Sequence, residues 1–448
     1  MSTEIIPLYP AQQRIVEGFA GLPVPRRRIL NGPTGVGKTP MGIRAACSID
    51  YQRILVITVS SGVPHWVSEW ARWGDGRARG IPCGRTVKLS KSKAAIRDEA
   101  YISPVVVVSY SLIKHVDTSP WDLIILDEGH RLAQPQAKWS KEVAKRIKLN
   151  YKADVWLMTA TLIPTEVSQL WHPLHLLFPH GGWGAPTKSG DVSFTFKQRY
   201  CDSEEEPYAL SGRRYFGLRK DREGELRERL AKVTDTITRA DIRADQPPLD
   251  VNLRMVEGEP RKAVLDLLDD LGSDVTHRVV VCYHHDVANE LHAALPGSAL
   301  MTGTTPSAER FALLAALGAA PAATLVVTSE CIRESVRLMW AQKVYYVEFR
   351  TSPVQVIQSL GRFQSVGSDA RPSVEILANH DSKPAARLLV RRVRAIMGSG
   401  LGGAAEAQTE SLFQLPDMSE SEFSNRMKSF LSRYEDKSDW EDSDGDEW

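Results

Sequence analysis

Short apolar runs alternate with helical patterns along most of the chain, and they fall into two series. The first comprises Arg53–Thr58, Pro104–Ser109, Asp122–Leu126 and Asp154–Met158. The second comprises Arg278–Cys282, Ser298–Met301, Thr324–Thr328, Lys343–Val347 and Ser373–Leu377. The runs of the first series are nearly all apolar, which is typical of parallel strands buried on both faces. The alternation predicts an α/β fold with two parallel sheets, one for each series.

The regions that join and follow the two series differ from them in composition. The stretch 181–248 is polar and rich in Gly, Arg and Glu, and it closes with Gln246-Pro247-Pro248. Met397 is followed by Gly-Ser-Gly-Leu-Gly-Gly, a composition typical of flexible linkers. The sequence therefore predicts a first sheet domain, a connecting segment, a second sheet domain and a linker with a tail, at residues 1–180, 181–248, 249–397 and 398–448.

The composition is ordinary for a soluble globular protein, with 42% hydrophobic and 25% charged residues among 448. We expect no membrane span, because no stretch reaches about 18 apolar residues, and the first residues lack the pattern of a signal peptide. The five cysteines are scattered, which favours reduced thiols, and nothing favours a zinc site. We therefore expect a cytoplasmic protein of a bacterial or phage-infected cell, or a nuclear one in a eukaryote, and not a secreted protein.

A phosphate-binding loop is the strongest chemical signal in the chain. Residues 32–39 read Gly-Pro-Thr-Gly-Val-Gly-Lys-Thr, between the apolar pair Ile29-Leu30 and a helix-compatible stretch, Gly42–Cys47. The glycines allow backbone N–H groups to turn around phosphates. Lys38 supplies charge to the β- and γ-phosphates, and the Thr39 hydroxyl is placed to ligate Mg²⁺. The predicted binding residues for a nucleoside triphosphate are Gly32, Thr34, Gly35, Gly37, Lys38 and Thr39. The alternative is a Gly-rich turn that binds nothing.

Two acidic residues follow another buried strand. Asp127-Glu128-Gly129-His130 comes directly after the apolar run Asp122–Leu126. An Asp at the carboxyl end of a strand beside a phosphate loop holds Mg²⁺, and the adjacent Glu is placed to polarise the attacking water as a general base. We predict these roles for Asp127 and Glu128. The alternative is an acidic pair that caps a helix or faces solvent.

Taken together, the motifs resemble those of the superfamily 2 helicases, and among them the Swi/Snf-related DNA translocases. The resemblance runs from about residue 5 to 370, and it depends on the order and spacing of the matches, because each match alone is weak. In the first half the matching segments are Leu8–Gln12, Val59–Trp73, Val108–Tyr110, Asp127–Leu132 and Thr159–Pro164. In the second half they are Val280–Tyr283, Thr302-Gly303 with Arg310, and Pro353 to Arg362.

The resemblance implies two tandem RecA-like lobes with ATP and Mg²⁺ in the cleft between them, and a helical insertion between the lobes. The lobe-one residues at the nucleotide would be Gln12, which reads adenine, with Lys38, Thr39, Asp127 and Glu128. Gln358 and Arg362 would reach across from lobe two. Thr159 and Thr161 would link the ATP site to lobe movement. Closing and opening of the lobes would then step the protein along a nucleic-acid backbone.

The chain departs from the family pattern in lobe two. The last motif of the family usually reads Q-x-x-x-R-x-x-R, but here Arg362 is followed by Ser365 in the second arginine position. Ser335 and Arg337 also stand where the preceding motif usually has a glycine and a small polar residue. Three interpretations stay open, because such arginines stabilise charge on a transferred phosphoryl group. In the first, Arg362 alone supports a slower ATPase. In the second, Arg333 or Arg337 supplies the missing charge. In the third, lobe two has lost catalysis and the protein only binds its ligands.

Several basic clusters could contact a nucleic-acid backbone without reading its sequence. The best candidate is the region 213–222, because the family inserts DNA-contacting helices between its lobes and this region contains Tyr215-Phe216. The predicted contact residues are Arg213, Arg214, Arg219 and Lys220. The other clusters are Arg26–Arg28, Lys88/Lys91/Lys93, Lys138 to Lys148, and Arg391-Arg392 with Arg394. A solvated helix face is the alternative for each. The spacing of Trp66, Trp70 and Trp73 indicates a helix's core stripe rather than a base-stacking platform.

The charge is unevenly distributed. The net charge is +1, but residues 435–448 carry −7, which leaves +8 on residues 1–434. A basic body with an acidic tail is common in proteins that touch polyanions. We expect the tail to be disordered, although it contains Trp440 and Trp448. It could act as a solubility tail, dock on a basic pocket of a protein partner, or cover the protein's own DNA track.

We therefore predict an ATPase of the helicase-translocase class that moves on double-stranded or branched DNA in replication, recombination or repair. Two alternatives stay open: an ATP- and DNA-binding scaffold with weak or no turnover, suggested by Ser365, and a motor subunit of a nuclease or replication complex, suggested by the tail. A small-molecule kinase also uses a phosphate loop, but it does not need a second α/β lobe with a Gln-x-x-Gly-Arg motif.

Overall fold

Two parallel β-sheets form the framework of the protein, and both belong to one compact unit, Met1–Ala407. The structure is a computed structural model that describes residues 6–49, 51–60, 62–74, 85–86, 104–116, 120–160, 162, 167–179, 183, 192–205, 213–243, 249, 251–270, 276–333, 337–348, 353–364 and 371–398. Within these ranges, no helix combines the length and the apolar character that crossing a membrane requires.

The strands confirm both apolar series. They are β1 Arg27–Asn31, β2 Ile54–Thr58, β3 Arg85–Thr86, β4 Val105–Ser109, β5 Leu123–Asp127, β6 Asp154–Thr159, β7 Asp202–Glu205, β8 Arg213–Phe216, β9 Thr234–Thr236, β10 Val251–Met255, β11 His277–Cys282, β12 Ala299–Met301, β13 Ala323–Thr328, β14 Lys343–Tyr346 and β15 Ser373–Ala378. Strands β2, β4, β5 and β6 fall on the first series of apolar runs, and β11 to β15 fall on the second. The predicted α/β fold with two parallel sheets is therefore confirmed.

The order of the strands explains why the apolar runs are continuous. The first sheet runs β3-β4-β2-β5-β6-β1-β9 and the second β10-β15-β14-β11-β13-β12, with parallel pairing throughout. Successive residues of a strand point to opposite faces. In β2, Leu55 and Ile57 enter one apolar cluster, while Ile54 and Val56 enter another on the other face. Both faces of the sheet are thus buried, and an apolar side chain is favoured at every position.

Helices cover the faces of the sheets. They are α1 Pro10–Ala20, α2 Lys38–Ser48, α3 Gly62–Trp73, α4 Lys138–Leu149, α5 Trp171–Leu177, α6 Val192–Tyr200, α7 Glu223–Ala231, α8 Pro260–Asp270, α9 His285–Ala294, α10 Ser307–Ala319, α11 Ser329–Arg333, α12 Pro353–Leu360 and α13 Lys383–Gly398. Short 3₁₀ turns occur at Tyr110–His115, Gly129–Ala133, Val167–Leu170 and Lys220–Arg222.

The connecting segment 181–248 is only partly helical. Between α6 and α7 it contains the antiparallel hairpin of β7 and β8. It also supplies β9, which pairs with β1 and extends the first sheet, with Ile29 opposite Thr234 and Asn31 opposite Thr236. The first sheet therefore ends inside the range that the composition assigned to the connection. The sequence Thr-Asp-Thr has no apolar pattern, so only backbone pairing with β1 makes it a strand.

Candidate functional site

The phosphate-loop sequence forms a tight turn between β1 and α2. Gly35 and Gly37 have φ angles of 87° and 83°, a left-handed conformation that other residues adopt only with strain. A Cβ atom at Gly37 would also lie 2.4 Å from Nε2 of Gln12. The glycines at these positions are therefore required by the backbone turn that the motif predicts, and α2 begins immediately afterwards at Lys38.

Lys38 closes this loop with its ammonium group. Its Nζ donates hydrogen bonds to the carbonyl oxygens of Gly32, at 2.7 Å, and Pro33, at 3.2 Å. Burial lowers the pKa of Lys38, and the nearby carboxylates of Glu128 and Asp127 oppose that effect. The cation is thus held at the mouth of the loop, close to both acidic residues that the sequence singles out.

Asp127 stands at the end of β5 with its carboxylate fixed by two donors. The Thr58 hydroxyl and the Trp66 indole N–H each donate to Oδ2 at 2.8 Å, and the Tyr110 hydroxyl donates to the Asp127 backbone carbonyl at 2.8 Å. Burial and the neighbouring Glu128 raise the pKa of Asp127, while the two donors oppose this shift. The side chain is therefore held in one orientation by groups that come from β2 and α3.

Glu128 adopts a strained backbone conformation beside the loop. Its φ of 51° is the only positive φ of a non-glycine residue in the described part of the chain, and such outliers concentrate at functional sites. Its Oε2 lies 3.3 Å from Nδ1 of His130. Burial acts to raise the pKa of Glu128, but the hydrogen bond and charge of His130, with Lys38, outweigh it and hold the pKa below its usual value. Glu128 is therefore an ionised carboxylate near neutral pH.

His130 connects this glutamate to the next predicted motif. Its Nδ1 also lies 3.3 Å from the hydroxyl oxygen of Thr159, at the end of β6. The sequence did not indicate this link, because the three residues meet only when β5 and β6 pair side by side. Thr161, the second predicted coupling residue, lies outside the described residues.

Gln12 is buried at the start of α1 and joins that helix to the phosphate loop. Its Oε1 accepts a hydrogen bond from the Tyr9 backbone N–H at 3.0 Å, and its Nε2 donates to the Val36 carbonyl at 2.8 Å. The structure therefore places Gln12 against the phosphate loop. Its side chain also holds the loop's backbone.

Residues from both sheet domains line one cleft of about 810 Å³. From the first sheet domain it is lined by Gln12, Thr34, Gly35, Gly37, Lys38, Thr39, Asp127 and Glu128, and from the second by Gln358, Gly361 and Arg362. Gly32 is not among the lining residues, but its carbonyl accepts a hydrogen bond from Lys38. Arg362 is near enough for its charge to act on both Lys38 and Glu128. A Cβ atom at Gly361 would lie 2.4 Å from Cβ of Thr34, so the two domains meet directly at the phosphate loop.

Arg337 also faces this cleft from the second domain. Its Nη2 lies 3.6 Å from Oε1 of Glu69, a buried residue of α3. Of the two arginines proposed to supply a missing charge, Arg337 is thus placed at the cleft. The Arg333 side chain, Ser335 and Ser365 lie outside the described residues.

The residues present fit a Mg²⁺ ion bound together with phosphates. Thr39 and Asp127 both line the cleft, and a hydroxyl plus one carboxylate, with phosphate oxygens and water, is the usual protein contribution to such a site. Among the described residues, no group of three or more His, Cys, Asp and Glu side chains could hold a metal ion alone. The ion would therefore depend on the nucleotide for its remaining ligands.

The predicted nucleic-acid residues lie on and after the β7–β8 hairpin. Arg213 and Arg214 are in β8, opposite Glu205 and Glu204 in the register of the hairpin. Arg219 pairs with Asp221 at 2.7 Å, and Lys220 is exposed beside it.

The cluster Arg26–Arg28, one of the candidate nucleic-acid contacts, makes several contacts within the protein. Arg26 pairs with the buried Asp154 at 3.0 Å, and Arg28 pairs with Asp235 at 2.9 Å. Arg27 donates to backbone carbonyls, including that of Leu177 at 3.0 Å. Arg26 and Arg28 thus pair with carboxylates of β6 and β9 in the first sheet, and these two partners are too distant in sequence for a local pattern to reveal them.

Trp66 and Trp70 of α3 are core residues, as their spacing predicts, whereas Trp73 is half-buried and lines the cleft. Trp66 and Trp70 are 0% and 2% exposed. Trp66 has the further role of donating to Asp127, and no signal in the sequence separates this function from packing.

The donor from Thr58 provides a first test of the site. We expect Thr58→Val to lower the melting temperature, because a hydrogen bond to a buried charged group contributes about 1.5–3 kcal/mol, and each kcal/mol corresponds to about 2–4 °C in a domain of this size. Thr58→Ser keeps the hydroxyl and is the matched control. Equal melting temperatures for the two variants in a thermal unfolding scan would show that the bond to Asp127 contributes nothing.

Comparison with known proteins shows which families and folds this chain is similar to. The SNF2-related domain matches residues 21–240. The probable ATP-dependent DNA helicase CHR12 of Arabidopsis thaliana is 26% identical over 161 residues, which cover 34% of this chain and 14% of that protein. The lymphoid-specific helicase of Homo sapiens is 28% identical over 163 residues, covering 34% of this chain and 19% of that protein. The chain thus spans less than a fifth of the length of these relatives.

The likeness in three dimensions extends beyond the matched domain. The structure of S. cerevisiae Dbp5 bound to RNA and ADP BeF3 covers 90% of this chain and 92% of its own, with a TM-score of 0.53 and 13% identity. At that identity the likeness concerns the fold alone. It extends over both sheets, each of which is the core of one of two tandem RecA-like lobes. Over residues 21–240 the chain is thus similar to the SNF2-related domain of the Swi/Snf-related proteins, and its two-lobed fold extends beyond that match.

Proposed function

We propose that the protein is an ATP-dependent motor that couples ATP hydrolysis in the inter-lobe cleft to movement on double-stranded or branched DNA. One observation carries the proposal. The phosphate loop and the acidic pair of lobe one face Gln358 and Arg362 of lobe two across a single cleft. A site that only bound nucleotide would not need an arginine from a second lobe, whereas a motor needs both lobes to respond to the same phosphate.

The side chains divide the chemistry of hydrolysis between them. The backbone of the phosphate loop and Lys38 would hold the β- and γ-phosphates. Thr39 and Asp127 would hold Mg²⁺, which neutralises phosphate charge when it is bound. Glu128, whose carboxylate is ionised at neutral pH, would polarise the attacking water as the general base. Arg362 would stabilise charge on the transferred phosphoryl group.

Two contacts suggest how hydrolysis would be coupled to movement. His130 touches both Glu128 and Thr159, so a change at the general base reaches the segment that begins with Thr159 and includes Thr161. Gly361 abuts Thr34, so a change in the phosphate loop alters the contact between the lobes. We propose that these contacts convert loss of the γ-phosphate into lobe opening.

DNA is the proposed track. The two curated relatives reported above are named as helicases, one of them explicitly as a DNA helicase. The body of the chain carries +8, which favours binding to a phosphate backbone without reading its sequence. We propose Arg213, Arg214, Arg219 and Lys220 as contacts on this track, with a role in replication, recombination or repair.

The test is ATP hydrolysis with and without duplex, single-stranded and forked DNA. We expect turnover that DNA stimulates, with the highest rate on the structure that the motor tracks. A wild-type protein whose turnover is the same with and without every DNA contradicts a DNA motor. Turnover that RNA stimulates and DNA does not would indicate that the motor moves on RNA instead.

A second candidate is an ATP- and DNA-binding scaffold with weak or no turnover. It is favoured by Ser365, which stands where the family pattern has its second arginine. Ser365→Arg separates the candidates. A wild type that binds ATP without turnover, together with a Ser365→Arg variant that hydrolyses it, would establish the scaffold.

A third candidate is a motor subunit of a nuclease or replication complex. In this candidate the acidic tail would bind a protein partner.

Deletion of residues 435–448 tests the other proposed role of the tail, in which it covers the protein's own DNA track. Unchanged DNA affinity and salt dependence in the deleted protein exclude the version in which the tail covers the protein's own DNA track.

A further inference from the structure

Arg239 joins the phosphate loop to the lobe-two loop that carries Arg362. Its Nη2 donates to the backbone carbonyl of Thr34 at 2.9 Å and to that of Gln364 at 3.2 Å. Thr34 belongs to the phosphate loop, and Gln364 follows Arg362 by two residues. One guanidinium group therefore bridges the two lobes beside the residues that the proposed chemistry requires.

The topology of the first sheet fixes the backbone of Arg239 next to the loop. β9 pairs in parallel with β1, so both strands end at the same edge of the sheet, where the phosphate loop begins. The Ile237 backbone N–H donates to the Asn31 carbonyl at 3.0 Å, and a Cβ atom at Gly32 would lie 2.7 Å from the Ile237 side chain. The base of Arg239 is thus held by the segment that also anchors the loop.

The surroundings of Arg239 indicate that its charge has a function. Burial lowers the pKa of Arg239 to about 10, so the guanidinium group stays charged at neutral pH. Its Nη1 is buried and has no hydrogen-bond partner among the described residues. Its charge acts on Lys38, as the charge of Arg362 does. A cation that only cross-linked two carbonyls would not need to lie among the charges of the phosphate site.

We infer that Arg239 is a positioning residue that holds the phosphate loop against the segment Gly361–Gln364 and thereby aligns Arg362 with the phosphates. The inference rests on the proposed ATPase function. An arginine suits the task because its planar, multi-donor group can bind two carbonyls from different segments at once, which a lysine does less well. Arg239 lies outside the sequence motifs of the candidate site. It is also distinct from Arg333 and Arg337, the two candidate sources of the missing second charge.

The experiment compares Arg239→Met and Arg239→Lys in the full chain, each alone and combined with Arg362→Ala. The measurements are kcat and KM for ATP with stimulating DNA, single-turnover rates for the slow variants, and melting temperature. Arg227→Met is the matched control, since Arg227 is an arginine of the same lobe, 44% exposed on α7 and paired with Glu223.

We expect Arg239→Met to lower kcat by about 10- to 100-fold with a much smaller change in KM, because misalignment of a catalytic group by about 1 Å has effects of this size. Arg239→Lys should fall between the wild type and Arg239→Met. In the Arg362→Ala background the same substitution should have little further effect, because residues that act through one another are not additive. Arg227→Met should leave kcat unchanged.

Three results would overturn the inference. The first is a wild-type kcat in Arg239→Met, and the second is an equal loss in the presence and absence of Arg362. The third is a lowered melting temperature with unchanged kcat, which would indicate a purely structural cross-link. If Arg239→Met fails to fold, a wild-type kcat in Arg239→Lys overturns the inference equally. Absence of turnover in the wild type is a separate outcome, which contradicts the proposed function and removes the inference with it.

Discussion

Replacement of Lys38 by alanine is expected to lower ATP turnover by about 10²- to 10³-fold, the effect typical of losing one preorganised electrostatic group. The half-buried Lys38 donates hydrogen bonds from its ammonium group to the carbonyls of Gly32 and Pro33. Its removal withdraws the positive charge from the phosphates and leaves the loop without its cross-link. Both effects act on the same step, so the loss should exceed that of any other single substitution in lobe one except at Glu128.

The measurement is steady-state ATP hydrolysis with saturating DNA, alongside binding of a fluorescent ATP analogue. Lys148→Ala is the matched control, because Lys148 is exposed on α4 of the same lobe. Turnover in Lys38→Ala equal to that of the Lys148→Ala control would mean that hydrolysis occurs elsewhere or comes from a contaminant.

Glu128→Gln is expected to lower turnover by about 10²- to 10⁴-fold, the range typical of general acid–base catalysis, and to leave ATP binding nearly intact. The carboxylate is held ionised by His130 and Lys38, whereas an amide of the same shape cannot take a proton from water. Lys38 and the loop glycines are unchanged in this variant, so nucleotide affinity should be retained. This separation of binding from hydrolysis distinguishes Glu128→Gln from Lys38→Ala.

Affinity for a fluorescent ATP analogue and single-turnover hydrolysis measure the two effects independently. Glu228→Gln serves as the control, because Glu228 is an exposed residue of α7 that pairs with Lys232. Parallel losses of affinity and rate in Glu128→Gln would argue that Glu128 supports the loop structurally rather than acting on water.

The sequence by itself determined the fold class and located most of the residues of the candidate nucleotide site. Burial on both faces of the sheet favours an apolar side chain at every position of a strand. The strands β2, β4, β5 and β6 could therefore be located from their apolar runs alone. The phosphate loop is a contiguous backbone motif, and its glycines at 35 and 37 are required by left-handed φ angles. Asp127 and Glu128 follow a buried strand directly. In each case the determining interactions lie within a few residues along the chain.

The tertiary structure alone decided which of the other polar residues serve the site. Arg26–Arg28 form a basic cluster in the sequence, and their partners, Asp154 and Asp235 among them, lie more than 100 residues away. β9 has no apolar pattern and becomes a strand only beside β1. Arg239 reaches Thr34 across 205 positions and Gln364 across 125. Such contacts depend on which strands pair and how the two lobes meet, and a one-dimensional pattern records only what neighbours along the chain impose on one another.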